Sequence, residues 1–576
     1  MPSVRHASYF GAWSVVFASW RRGAALLAAA LLIVSCAGSS PAPDPIYDEP
    51  ALPPAEPEAP PVLLDELGDL HHPISTAVPQ AQVYFDQGMV LTFGFNHEAA
   101  SRSFAEALEL DPICAMCAWG VALALGPNIN APMGPEAARQ AYEAVQQARK
   151  LATYASERER AYIDALANRY AAEPPEDRSD LDQAYADAMR GLYQADPSDI
   201  DAAVLFAESL MDLYPWNYWD EKAQPRRYTM EILTVLEAAM AQNPQHVGAN
   251  HYYIHAVEEY YPERAVPAAD RLGAIAPDAG HLVHMPSHIY WRVGRYDDAL
   301  EINRRAVASD EAFFAACRPG AFYRAAYYPH NIHFLWSTAS VEGRQDLALS
   351  TARKLAAKTA GQIEQFDFLE EFVAIPMLTL ARFGRWDAVL GEPAPGAQYV
   401  YLRGINHYTR GLAFTRIGDF DMATAELAAA IFASNEERAN TLVVAGGTAP
   451  AAQLLEIGVA HLEGELAAAQ GDYDAAIAAL QRAVALQDEL VYMEPPPWYF
   501  PTRQALGAVM LDAGRAVEAE QVYRKDLDQY PSNGWSLYGL AQSLRAQQRN
   551  AEADWVQQGY ENAWARADVA LTASRF

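Results

Sequence analysis

Two short stretches place histidines at a spacing that can bind a metal ion. "HYYIH" carries His251 and His255, and "HLVHMPSHIY" carries His284 and His288, so each holds a pair four residues apart. On a helix, residues four apart share one face about one turn apart. Two imidazoles at that spacing can chelate one ion, as in zinc sites with two His on a helix. The second pair repeats the first at an offset of 33 residues, from 251 to 284 and from 255 to 288. Glu258 lies one turn beyond His255 and offers a carboxylate. His281, His330 and His333 follow, so that seven of the chain's 14 histidines fall between residues 251 and 333. Imidazole suits Zn, Cu and Fe alike; such a set can hold one or two ions, or bracket a haem. The sequence has no CxxCH for covalent haem attachment. It has no HExxH either, so "HYYIH" lacks the Glu that serves as general base in a zincin. Two bland readings stand beside the metal: core histidines hydrogen-bonded to their neighbours, and duplicated repeats that share His without a shared task.

Other residues offer weaker chemistry. "DPICAMC" sets Cys114 and Cys117 three apart at a helix start, where thiol pKa values fall. That pair reads as a local disulfide, with redox chemistry or Cu(I) binding, aided by Met116, as the alternatives. Cys317 is free to pair with either. "GPNINAPMGP", Gly126 to Pro135, breaks the helical pattern and offers Asn128 and Asn130 as polar contacts to a ligand, unless it is only a turn. "LYPWNYWDE", Leu213 to Glu221, and "MEPPPWYFP", Met493 to Pro501, are further irregular segments that either cap a site or connect helices. No P-loop, Rossmann glycine pattern or nucleophile elbow is present.

The elements that must position these residues are helices. Ala-rich segments recur with a period near 34. The clearest runs from Ala81 to Pro112, with Tyr84, Gly88, Ala100, Phe104, Ala107 and Pro112 in an aromatic, small, small, aromatic, small, Pro order. Pro501 to Pro531 repeats it through Gly507, Gly514, Ala519, Tyr523 and Pro531. Further copies centre on "GRYDDALEINRRA", "GDFDMATAELAAA" and "GDYDAAIAALQRA". This pattern resembles the tetratricopeptide repeat (TPR) over most of residues 80 to 565. It implies an all-α fold of helix-turn-helix repeats stacked into a right-handed superhelix, and a protein or peptide ligand in the concave groove. The motif set "CAMCAWGVALALGPNIN", "HMPSHIYWRVGRY", "YYPHNIHF" and "PPPWYFPTRQALG" also resembles a family of bacterial TPR lipoproteins, a likeness that implies no particular activity.

In a TPR, positions 2, 5, 9 and 12 of the first helix line the groove. Counting from Gly294 and Ala299, His284 and His288 are positions 5 and 9, and His251 and His255 are their equivalents one repeat earlier. Glu258 is then position 12 and His281 position 2. With Gly343 and Ala348 setting the register, His333 is position 5 and His330 position 2. The resemblance thus predicts a row of His251, His284 and His333 on one groove wall, with His281 and His330 as groove contacts.

The start of the chain reads as a targeting signal. Arg5, Arg21 and Arg22 precede an apolar run from Gly23 to Val34, too short for a comfortable membrane span. "IVSC" resembles a bacterial lipobox, implying cleavage before Cys36 and a lipid on its sulfur; ordinary signal cleavage nearby is the alternative. Pro41 to Pro61 is Pro-rich and acidic and reads as a tether. The expected organisation is a signal at 1–36, a disordered tether at 37–65, a His-bearing array at 66–400 and a second array at 401–576. The formal charge of -31 repels phosphate backbones, so nucleic acid is not an expected partner. The sequence therefore predicts a cell-envelope TPR lipoprotein, facing the periplasm from the outer membrane and touching the membrane only through Cys36. Its groove is expected to hold a transition metal, Zn, Cu or Fe. A metal-dependent oxidase or hydrolase and a metal-free peptide scaffold are the alternatives.

Overall fold

Short turns break this chain into antiparallel helix pairs because each repeat carries its own stop and start signals. Gly418 and Gly471 adopt φ of 83° and 82°, a left-handed conformation that ends a helix at little cost. The next residue in each case, Asp419 or Asp472, caps the following helix by accepting from the backbone N–H of Met422 or Ala475. Gly294, Gly343, Gly384 and Gly514 turn the chain with the same positive φ. The computed structural model describes residues 61–317 and 320–576. It is an all-α repeat superhelix, from the pair Pro79–Phe93 and His97–Leu110 to the pair Gly534–Ala546 and Asn550–Ala563. A two-residue antiparallel ladder, Val443–Val444 with Ala449–Pro450, interrupts the helices once among the described residues.

The repeats are held at a fixed distance by an aromatic ring wedged between glycines. Phe104, fully buried on the second helix of the first pair, fills the space left by Gly88 on its own first helix and by Gly120 on the next. A β-carbon on either glycine would overlap the ring. Tyr523 sits in the same way between Gly507 and Gly539. One apolar core gathers residues from Leu67 to Tyr327 and another those from Ala374 to Val556. A third joins them, bringing Trp535 and Leu571 against residues 300 to 383.

Both ends of the array fold back on its middle. Backbone N–H of Glu66 donates to Asp278 Oδ2 at 2.8 Å, and that of Asp278 to the Glu66 carbonyl at 3.1 Å. At the other end, Trp535 Nε1 donates to the Ser340 carbonyl at 3.2 Å, and Trp564 and Phe576 pack over Gly343 and Gly384. The signal and Cys36 lie outside the described residues. Residues 61 to 65, which composition assigns to the tether, are fixed instead: Tyr84 Oη donates to the Pro61 carbonyl at 3.0 Å, and the N–H of Leu64 donates to Gln87 Oε1 at 2.9 Å. Among the described residues no helix is long and apolar enough to cross a membrane.

One buried acid ties two of the histidine helices together. Asp310, on helix Tyr296–Ala316, accepts from Tyr323 Oη at 2.8 Å and from Asn331 Nδ2 at 2.7 Å. Tyr323 Oη in turn accepts from the N–H of His281 at 3.3 Å, and only glycine fits at position 280 against the Asp310 carboxyl. Burial pushes the pKa of Asp310 up to about 7.

Two expectations follow from these contacts. Phe104→Ala removes the wedge and is expected to lower unfolding free energy by about 3–5 kcal/mol, read as a shifted urea midpoint. Asp310 holds its proton in the native state at a pH where the unfolded chain, with an ordinary value of about 3.9, has lost it. Its contribution to stability is complete below that value and is lost as pH rises through about 7. The melting point of Asp310→Asn relative to the native sequence should therefore rise between pH 5 and pH 8. A difference that stays flat across that interval would show that Asp310 does not titrate there.

Candidate metal centre

Three neighbouring first helices carry the histidines. Val247–Val257 holds His251 and His255, and Tyr327–Val341 holds His330 and His333. Between them Gly280–His284 and Pro286–Arg292 form one interrupted helix, because Pro286 has no N–H to continue the ladder. The interruption falls between His284 and His288.

His251, His255 and His281 form a first triad, with one ring nitrogen of each within 4.8 Å of the others. His251 Nδ1 lies 2.5 Å from the Phe93 carbonyl oxygen, and His255 Nδ1 lies 3.2 Å from Glu258 Oε1. Both partners only accept, so each Nδ1 carries the proton and each Nε2 is left as a lone pair. Those two Nε2 atoms and both nitrogens of His281 are buried without a hydrogen-bond partner. Leaving such an atom unmatched costs about 1–3 kcal/mol.

His284, His288 and His330 form a second triad. His284 Nε2 and His330 Nε2 stand 3.0 and 3.4 Å from His288 Nε2. Asn303 Oδ1 accepts from His284 Nδ1 at 2.7 Å, its amide held by donation from Nδ2 to the Ala299 carbonyl at 2.7 Å. His288 Nδ1 lies 3.0 Å from Glu258 Oε2 and 3.4 Å from Glu494 Oε2. Arg292 Nε in turn faces Glu494 Oε1 at 3.6 Å.

Burial dominates the electrostatics. Together with neighbouring imidazoles it holds His251, His281, His284 and His330 well below the usual histidine range, in the neutral form that binds metals. Burial also lowers His255, with Glu258 opposing. His288 is raised: burial acts against its charge, but Glu258 and then Glu494 outweigh it. Glu258 is held low by these two imidazoles despite its burial, whereas burial lifts Glu494.

The structure places two of the expected features differently. His333 does not join the row: its ring stacks on Trp336, with centroids 5.2 Å apart and planes 11° apart, and meets the edge-on face of Phe372. His330 takes its place beside His284 and His288. Glu258 stays at the cluster: its Oε1 and Oε2 lie beside Nδ1 of His255 and of His288, and with His288 and Glu494 it makes a third group that could hold an ion. Finally, His251, His255, His281, His284 and His288 are themselves buried and not open to a peptide. Phe95 packs 4.6 Å from His251 and stacks on His255 at 6.0 Å, and Trp216 meets His255 edge-on at 5.0 Å. Trp216 Nε1 donates to Asn130 Oδ1 at 3.2 Å, and Asn130 Nδ2 donates to Tyr327 Oη at 3.5 Å. Two of the irregular segments thus cap the cluster, and Glu494, from the third, closes its other side. Asn128 serves its own loop, with Oδ1 accepting from the N–H of Asn130 and of Ala131 at 2.9 and 3.0 Å.

Cys114 and Cys117 are joined as a disulfide, so their sulfurs are not thiolate ligands, and Cys317 is a free, half-buried thiol. Sequence reasoning did not find Phe93, Asn303 or Glu494. Each reaches the cluster from a distant repeat or a second helix, where residue type carries no signal. His281 and His330 did carry one, since both occupy position 2 of the repeat.

A tetratricopeptide repeat family model matches residues 458–489, which span the turn at Gly471 and the helix Tyr473–Asp488. No curated protein matches the sequence. Among solved structures, the human IFIT1 dimer with PPP-AAAA is 12% identical over 86% of this chain and 92% of that chain, with a TM-score of 0.30. The APC/C hetero-tetramer Cut9-Hcn1 is 14% identical over 84% of this chain and 76% of that one, with a TM-score of 0.30. Likeness at that level carries no argument about this chain. The matched segment is a tetratricopeptide repeat, and the aromatic wedge between glycines and the helix pairs extend that repeat pattern along the described chain.

Proposed function

We propose that this TPR chain is a cell-envelope scaffold that binds a transition-metal ion at His251, His255 and His281. One observation carries the reading: three buried imidazoles bring ring nitrogens within 4.8 Å of one another, and each ring has a nitrogen without a partner. A cation at their centre turns three unmatched lone pairs into ligands. Neutral imidazole donors fit Zn, Cu or Fe, and Phe93 and Glu258 hold His251 and His255 from behind, the arrangement that fixes tautomer and ring angle at metal sites. The aromatic cover over the cluster favours an enclosed ion with a binding or structural task, while a protein partner would use other surfaces of the array. The lipobox-like "IVSC" supports attachment at the envelope through Cys36.

Elemental analysis of the full chain purified from its own envelope tests this directly. The native sequence is expected to retain a transition metal that His251→Gln/His255→Gln loses, and to gain thermal stability on adding Zn(II) or Cu(II). At free metal 100 times Kd the gain is about 2.7 kcal/mol. Equal metal content in the two proteins would end the proposal. Mass spectrometry of the mature N-terminus is expected to show an acylated Cys36, and an N-terminus elsewhere without acylation would remove the anchor.

A further inference from the structure

We infer that the chain holds two transition-metal ions side by side, the second at His284, His288 and His330, with Glu258 coupling the pair. The inference rests on the metal reading above and extends it.

The second triad has the dimensions of a ligand set. Two nitrogens bound to one ion at 2.0–2.1 Å in tetrahedral geometry stand about 3.3 Å apart. The separations at His288 Nε2 are 3.0 Å to His284 and 3.4 Å to His330. Proton placement argues the same way. His284 Nδ1 faces a fixed amide oxygen, so its neutral ring directs an Nε2 lone pair at His288, whose own Nδ1 lies beside two carboxylates. Two lone pairs at 3.0 Å repel unless a cation or a proton lies between them. One proton on His288 Nε2 would serve His284 or His330 and leave the other unmatched; a metal ion serves all three.

The two triads are adjacent. Ring centroids are 5.7 Å apart from His255 to His288 and 5.9 Å apart from His281 to His284. Glu258 spans them, with Oε1 3.2 Å from His255 Nδ1 and Oε2 3.0 Å from His288 Nδ1. One carboxylate therefore orients a ligand of each ion, and fixing it at one site pre-orients the other. All six proposed ligands are imidazoles, and Glu258, between His255 and His288, is the carboxylate placed to offset the charge of two buried cations.

Metal-stripped full-length protein, titrated with Cu(II) and separately with Zn(II) and then desalted, is expected to retain two ions per chain. His330→Gln and His251→Gln should each retain one. In the copper-loaded protein the electron spin resonance signal should integrate to fewer spins than the coppers counted, and in His330→Gln to one spin per copper. Glu258→Gln should weaken both binding steps, by about 10–100-fold. The native sequence needs no variant to fold for its stoichiometry to be read. One ion per chain, lost in His251→Gln and kept in His330→Gln, would overturn the pair and leave the single site standing. No retained ion would overturn both readings. Two coppers giving two full spins would overturn their adjacency, and unchanged affinities in Glu258→Gln would overturn the coupling.

Discussion

The distance between neighbouring first helices governs everything else in this molecule. Towards each end of the array it is set where Phe104 or Tyr523 fills the gap between two glycines, with no room for a β-carbon on either side. Close-packed interiors tolerate little change in such spacing. Once it is fixed, equivalent positions on successive first helices must lie side by side. A histidine pair repeated one period later then becomes a wall of imidazoles. The histidine cluster is in this sense a by-product of repeat packing: residues that are 33 apart in sequence become neighbours because the repeat makes them so.

The cluster is expensive for the apo chain. Four imidazoles are held well below their usual range by burial and by one another, and several ring nitrogens face no partner. Unmatched buried polar atoms are uncommon in native proteins and call for a local explanation. Here the cost is not spread at random: Nδ1 of His251, His255 and His284 is matched, to the Phe93 carbonyl, to Glu258 and to Asn303, while Nε2 of His251 and His255 and both nitrogens of His281 face no partner. In a core of satisfied histidines both ring nitrogens would find partners; here several do not.

Much of this was legible in the sequence, for a definite reason. Helix turns, caps and the aromatic wedge are local or one-period features, so Gly471, Asp472 and Tyr523 announce themselves. The histidine register was readable on the same grounds, including the equivalence of His251 with His284 and His255 with His288. The error at His333 arose because register gives a position, while packing decides which of two residues on a helix meets its neighbours. Trp336 and Phe372 supply a better surface for His333 than the cluster does. The filling of the groove by Phe95, Trp216 and Glu494 could not be read at all, since it depends on how far the superhelix curls.

That curl has a consequence in time. The centre takes its Phe93 carbonyl from 158 positions before His251, and Glu494 arrives from a segment made long after His288. A growing chain can therefore form the histidine helices early but cannot finish their surroundings until the late repeats emerge and dock. Contacts between distant positions form slowly compared with those inside a helix pair. The completed centre is thus a record that both ends of the chain have found its middle, and an ion seated there would be sealed by the last part of the protein to be made.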